Sequence, residues 1–387
     1  MLFRSWESAV TQPWPDVVPV TDHVGVRHLL VTRHALVRAV LTDPDTFRPD
    51  NALDAVSPMP VAALRILASH GFRLPPTMAN NGGASHPQIR AIVADALHPA
   101  RVVAQRAWLT TVVRQRVARL VATLKAGQPV DLYTDLAADL PLLVLARLIE
   151  LPAAEVSVVK EFARSALELF WAPVDVDRQR MLADVVGRFH AVLREFATSG
   201  SGLVAELRAA GHPSDVVVGA LFFLLVAGQE TTSQFLTLLL HRLAREPAVL
   251  AGLSDGTINV DAVVEEGLRL EPPIVTWRRV AAVDTMLDGT PVTAGTSVVL
   301  WLADAGRDAT VVAAPDEFLP DQRGSRRHLA FGAGAHRCVG AQLARMEAAV
   351  VVAEAAPLLR DVTVVREPWC PDNLSFRMPD SFVIQRG

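Results

Sequence analysis

Between Pro87 and Leu253 the apolar residues recur three and four positions apart, the spacing of helices that each bury one face. That period predicts helices over residues 89–96, 107–124, 140–148, 153–170, 178–196 and 214–245. Ahead of them, residues 24–32 read as a short strand and 35–41 as a helix that ends at the Thr42, Asp43, Pro44, Asp45 turn. After Ala281 the period shortens. Residues 283–287, the turn at Asp288 and Gly289, and residues 297–300 read as a hairpin followed by a strand, and 362–365 and 375–384 read as strands. No repeat or low-complexity linker divides the chain, so the expectation is one domain over residues 1–387, mainly α with small peripheral β-sheets.

Composition agrees with a large buried core: of 387 residues, 51% are apolar and 20% charged, far from the profile of disorder. The formal net charge is −4 and the basic residues are scattered, which argues against a nucleic-acid partner. Met1 to Glu7 has neither the apolar core of a signal peptide nor the run of a membrane anchor. The greasiest stretch, residues 216–228, falls short of the roughly 18 to 20 residues of a span and runs into Gln229, Glu230, Thr231 and Thr232, so it reads as a buried helix. Two cysteines, Cys338 and Cys370, are too few for a disulfide framework and fit a reducing, cytoplasmic setting.

The densest chemistry lies in the run from His328 to Ala341, where Cys338 sits just before a helical pattern at 342–355. Unpaired N–H groups and the positive end of a helix favour a thiolate at such a position, which makes Cys338 a candidate metal ligand. Glycines at 332, 334 and 340 would let backbone lie against a flat group. A lone cysteine is more often one more buried side chain. Here, however, Phe331, Gly332, Gly334, His336, Cys338 and Gly340 fall in the order F-G-x-G-x-H-x-C-x-G. At an average usage of about 5% per residue type, a chance match in this chain is on the order of one in a hundred thousand.

This signature resembles the haem-binding loop of the cytochromes P450. The resemblance implies the cytochrome P450-like fold and haem b (iron protoporphyrin IX), with Cys338 as the axial thiolate, Phe331 shielding the sulfur, and Gly332 and Gly340 beside the ring. His336 would meet a propionate. Cys370, in Pro368, Trp369, Cys370, Pro371, lacks such a frame and reads as structural.

Three weaker constellations fall in the order the family would place them. Ala227, Gly228, Gln229, Glu230, Thr231 and Thr232 put a carboxylate and consecutive threonines inside an apolar helix, which local helix propensity disfavours. The segment resembles the family's oxygen-activating helix, which implies room for dioxygen at Ala227 and Gly228 and proton delivery by Glu230 and Thr231. Glu266 and Arg269, one helical turn apart, are alone no more than a surface ion pair. Followed by Pro272, Pro273 and Arg279, they resemble the family's structural pair and its propionate-binding arginine. His86 and Arg90, four apart at a helix start, can point one way toward an anion and resemble the family's H-x-x-x-R haem contacts. The chain departs from the family at Gly306, Arg307, Asp308, Ala309 and at Asp316, where an arginine often completes the glutamate–arginine network; Arg323 is the expected substitute.

The resemblance implies a monooxygenase using dioxygen and two electrons. The chain carries no flavin or iron–sulfur motif, so those electrons must come from NAD(P)H through a separate ferredoxin or flavodoxin and its reductase. Arg337 with Arg101, Arg106, Arg326 and Arg327 is the expected basic face for such a partner. Helical spacing puts Phe223, Val226 and Ala227 with Thr231, and Val275 and Trp277 follow Pro273, so these are the expected substrate-pocket residues. They suggest an apolar or aromatic small molecule. Asn80, Asn81, Gly82 and residues 373–377 resemble bacterial secondary-metabolism members that tailor peptides or diketopiperazines, with hydroxylation, aryl coupling or cyclisation as outcomes. The competing expectation is a catalytically silent haem-thiolate protein that binds a ligand or recruits a partner.

Overall fold

A computed structural model describes residues 14–151 and 156–387; the N-terminal residues 1–7 and the start of the 153–170 helix lie outside them. The expected helices form at His86–Ala96, Arg106–Lys125, Leu140–Ile149, Val156–Trp171, Val176–Ser199 and Ser214–Leu243. Others were not legible as periods, among them Val61–Ser69, Pro99–Ala104, Leu203–Ala209 and Pro247–Asp255. The first is short and keeps Val61 and Leu64 exposed, so it has no clean apolar stripe to read.

The Ser214–Leu243 helix runs through the middle of the molecule. It is long and apolar enough to cross a membrane, yet most of its side chains pack on the helices at 140–149, 156–171 and 176–199. Gly228 shows how close that approach is, because a Cβ there would stand 2.9 Å from Leu145 Cδ2. The glycine thus lets the Leu145 side chain pack closely on the long helix.

The sheets are small and peripheral. Strands β1 (Val17–Thr21), β2 (Arg27–Val31), β3 (Phe47–Arg48), β5 (Thr276–Ala281) and β8 (Ser297–Trp301) form one sheet in the order β1-β2-β8-β5-β3. Within it β2 and β8 are parallel, with His28 opposite Ser297, and the other pairs are antiparallel. Strand β4 (Val130–Asp131) pairs with β10 (Val383–Arg386), which pairs with β9 (Val362–Arg366), and β6 (Thr285–Leu287) with β7 (Thr290–Val292) makes the expected hairpin.

Two strand expectations are corrected. Residues 24–26 belong to a turn, because the Asp22 carboxylate accepts the N–H groups of Val24 and Val26 before β2 begins at Arg27. Residues 375–382 are irregular, and the strand starts only at Val383. There Asn373 accepts the N–H groups of Ser375 and Phe376, which takes those donors away from a ladder.

Candidate active site

Cys338 sits two residues ahead of Gly340, the N-cap of the Ala341–Ala355 helix. Its N–H donates to the Phe331 carbonyl at 2.9 Å, and Gly332 N–H closes a turn onto the Leu329 carbonyl at 2.8 Å. Gly332 holds φ +63° with open space above its α-carbon, whereas Gly334 at φ +69° would press a Cβ to 2.5 Å from the Leu41 carbonyl. Both positions therefore require glycine. The Cys338 thiol does not follow the sequence expectation: burial pushes it up from its ordinary value, against the Gly340 N–H and the Arg90, Arg345 and Arg337 charges, which favour the anion. The residue itself is exposed on the wall of a cleft.

That cleft is lined by Cys338, Phe331, Gly332, His336 and Gly340 from the loop, Ala227, Gly228 and Thr231 from the long helix, and Arg90 and Arg279. Arg90 reaches the loop through a bond to the Arg337 carbonyl, and buried Arg279 bonds the Arg278 carbonyl at 2.8 Å. No carboxylate among the described residues pairs with either. Burial lowers Arg279 to about 10 and His336 to about 4. His86 stands behind His336, its ring stacked at 4.0 Å, with a buried Nε2 that has no partner among the described residues. Two guanidiniums without a carboxylate partner and a cysteine on one cleft, with the orphaned His86 nitrogen behind it, fit haem: the cations suit its propionates and the sulfur suits its iron.

Across the cleft from the loop the wall is apolar, with Phe223, Leu224, Ile274 and Trp277. Trp277 is set in an aromatic cluster, its centroid 6.4 Å from Phe223, 6.2 Å from Phe376 and 6.3 Å from Trp171. Val226 and Val275, expected in the pocket, are instead buried in the core, off the cavity wall. Phe223, Ala227 and Thr231 keep strict four-residue spacing, while Val226 falls on the shoulder of that face. Ile274 occupies the position expected for Val275.

Thr231 and Glu230 turn opposite ways. The Thr231 hydroxyl lines the cleft and donates to the Ala227 carbonyl at 2.6 Å. Glu230 is fully buried behind it, with Lys160 Nζ at 2.5 Å and donors from Gln229 Nε2 (3.0 Å) and Gln234 Nε2 (3.3 Å). Lys160 also bonds Gln229 and Ser233, and it lines an outer cleft with Arg164 and Tyr133. Sequence reasoning missed Lys160, since seventy residues separate it from its partner and it stands in an ordinary amphipathic helix.

The Glu266 and Arg269 pair is wholly buried rather than solvated, bidentate at 2.7 and 2.8 Å. Arg269 also reaches the carbonyls of Gly306, Pro315 and Glu317. Its third member is corrected: Gln322 Nε2 (2.6 Å) and Ser325 Oγ (2.7 Å) donate to Glu266, and Arg323 is exposed without such a bond. Of the expected basic face, Arg106, Arg326, Arg327 and Arg337 are exposed, while Arg101 leans on Glu206 at 3.8 Å.

Comparison with known proteins bears on the whole chain. The cytochrome P450 family model matches residues 259–355, from the helix of Glu266 through that following Cys338. The chain is 30% identical over 360 residues to erythromycin C-12 hydroxylase of Saccharopolyspora erythraea, covering 89% of this chain and 85% of that one. It is 30% identical over 374 residues to cytochrome P450-SU2 of Streptomyces griseolus, covering 96% and 88%. A solved structure of cytochrome P450 CREJ in complex with (4-ethylphenyl) dihydrogen phosphate superposes with a TM-score of 0.91 at 26% identity, covering 100% of this chain and 97% of that one. Hydroxylases among the relatives decide between turnover and silent binding in favour of an enzyme. With its cysteine loop, its buried glutamate–arginine pair and relatives spanning nearly all of its length, the chain belongs to the cytochrome P450 family of haem-thiolate monooxygenases.

Proposed function

We propose that this monooxygenase hydroxylates an apolar, aromatic small molecule in bacterial secondary metabolism, with electrons delivered from NAD(P)H by a separate acidic ferredoxin or flavodoxin. The observation that carries the reading is one cavity lined by Cys338 and by Thr231, with Phe223, Ile274 and Trp277 in its wall. Cys338 would ligate the iron, Arg90, Arg279 and His336 would hold the propionates, and His86 would support His336 from behind. When bound, haem with a thiolate ligand supplies the cleavage of dioxygen, chemistry that belongs to the cofactor.

The chain's own residues do the rest. The rings of Phe223 and Trp277 orient the substrate and exclude water, and Ala227 and Gly228 keep the long helix clear of the cleft. Thr231 would supply an alcohol on the cleft side of the long helix, and Glu230 with Lys160 a buried acid–base pair on its other side, next to the outer cleft. The exposed Arg106, Arg326, Arg327 and Arg337 would steer the electron donor. A relative that hydroxylates erythromycin supports the reaction type and the metabolic setting, and an aryl phosphate bound to the CREJ enzyme supports an aromatic guest. The cysteine usage and the burial of the long apolar helix support a cytoplasmic enzyme.

The test is spectral and chemical together. Aromatic ligands should perturb the haem spectrum more strongly than aliphatic ones of equal size, and turnover with surrogate ferredoxin and reductase should add one oxygen atom to the tightest of them. Cys338→Ser should abolish the thiolate-type carbonyl band and Cys370→Ser should keep it. A thiolate-type band surviving in Cys338→Ser would refute the ligand assignment, and a coupled dimer as the main product would replace hydroxylation by aryl coupling.

A further inference from the structure

Beside the Cys338 loop stands a cation that the reading above leaves without a task. Arg345, on the Ala341–Ala355 helix, lays its guanidinium carbon 4.5 Å from the centroid of the Phe331 ring. Phe331 is tied to the ligand in turn, its carbonyl accepting the Cys338 N–H at 2.9 Å. With its side chain 30% exposed, Arg345 could have reached into water. It is held back by Glu265 of the Val260–Leu270 helix, with Nε 2.5 Å from Oε1 and Nη2 3.2 Å from Oε2. A planar, two-point grip of this kind fixes both the place and the tilt of the guanidinium.

Behind Glu265 is His328, whose side chain is 2% exposed and whose ring lies 5.9 Å from Phe331. Its Nδ1 accepts the Ala330 N–H at 3.2 Å, so the ring proton sits on Nε2 and is donated to Glu265 Oε2, also at 3.2 Å. A second proton would set two donors against each other at Nδ1, and burial disfavours it further. Neutral His328 therefore buttresses an ionised Glu265, and the guanidinium that this carboxylate holds lies over the Phe331 ring. Three chain segments converge on this one orientation, more than surface solubility would need.

We propose that Arg345, held by Glu265 and His328 against the face of Phe331, is a positioning residue that sets the reduction potential of the haem ligated by Cys338. The inference rests on the haem-thiolate reading of that cysteine. A fixed positive charge over the ring of Phe331, the residue whose carbonyl holds the Cys338 N–H, weakens electron donation from that cysteine to the iron and favours the reduced state, so the potential lies higher than the thiolate alone would set.

The experiment is a redox titration of the purified holoenzyme, wild type against Arg345→Met and Arg345→Lys, with haem content and the reduced carbonyl spectrum recorded for each. Arg345→Met should keep the thiolate-type band and shift the midpoint to more negative potential, and Arg345→Lys, charged but unable to stack or grip in two places, should recover part of that shift. An unchanged midpoint in Arg345→Met overturns the proposal, and a full wild-type midpoint in Arg345→Lys overturns the claim that the held, stacked geometry matters. If Arg345→Met loses haem, Arg345→Gln, which keeps a planar hydrogen-bonding head, carries the same comparison. In a Phe331→Leu background the Arg345→Met shift should shrink; a shift of undiminished size would mean that the ring is no part of the route. Absence of the thiolate-type band from the wild type itself would sink the haem-thiolate reading instead, which keeps the two failures apart.

Discussion

Lys160 and Glu230 come from different helices and meet at 2.5 Å, the lysine at the floor of an outer cleft and the carboxylate entirely out of solvent. Removing one member leaves the other as a buried charge without its counterion, and the buried member here is the carboxylate. Lys160→Met should lower stability by about 2–3 kcal/mol and Glu230→Gln by less, because Gln229 and Gln234 still offer hydrogen bonds. The double variant should be clearly more stable than the sum of the two losses predicts. Denaturant titrations of the four proteins check this, and simple additivity would show that the pair is not coupled.

Thr231→Ala should fold and bind substrate like the wild type, since alanine suits a helix interior and the bond given up is a local one to Ala227. What it should lose is proton delivery. Product per NADPH consumed should fall several-fold while hydrogen peroxide rises to match. Unchanged coupling would mean that the alcohol is a helix residue and no more.

The buried glutamate–arginine network separates two neighbours on one loop. Ser325→Ala removes a hydroxyl donor from the fully buried Glu266 carboxylate and should cost about 1–3 kcal/mol, with lower haem retention. Arg323→Ala, at an exposed residue with no bond to that carboxylate, should stay within about 0.5 kcal/mol of the wild type. Equal losses at the two positions would return Arg323 to the network.

Asp304 gives the fold a pH dependence of definite sign. Burial, aided by Asp308 and Asp316 and opposed by Arg307, raises its carboxyl to about 6. The folded chain thus holds a proton that the unfolded chain has already released, and stability falls as pH rises from about 4 through 6. Asp304→Asn should therefore be about 1–2 kcal/mol more stable than the wild type at pH 8, a figure reduced for partial exposure, and nearly equal to it at pH 4. Thermal melts across that range check the crossover; a constant difference would place the cause outside ionisation.

How far the sequence reached depended on distance along the chain. The Cys338 loop was legible because its six informative residues fall close together between 331 and 340 and their order is rarely met by chance. Thr231 was legible because a hydroxyl inside an apolar period breaks a local rule. Lys160, Gln322 and Arg345 broke none: each is an ordinary polar residue in a polar position, and its meaning lies in a partner tens of residues away. The errors at Val226 and Val275 have a different origin. Both are a single position from residues that do face the cavity, and periodicity gives a face without giving its edges.

The parallel pairing of β2 with β8 reaches past site geometry to the birth of the protein. Leu30 sits against Val299, so β2 waits for about 270 further residues of synthesis before its neighbour exists. Meanwhile β2 can pair with β1 alone, a two-stranded ribbon of marginal stability whose other edge is bare. Strand β5, which carries Trp277 and Arg279, is flanked by β8 and β3 and joins the same late closure. The pocket wall at Trp277 and the buried Arg279 are therefore completed late in folding, and slow synthesis or early truncation should yield chains that aggregate through that ribbon before they can take up haem.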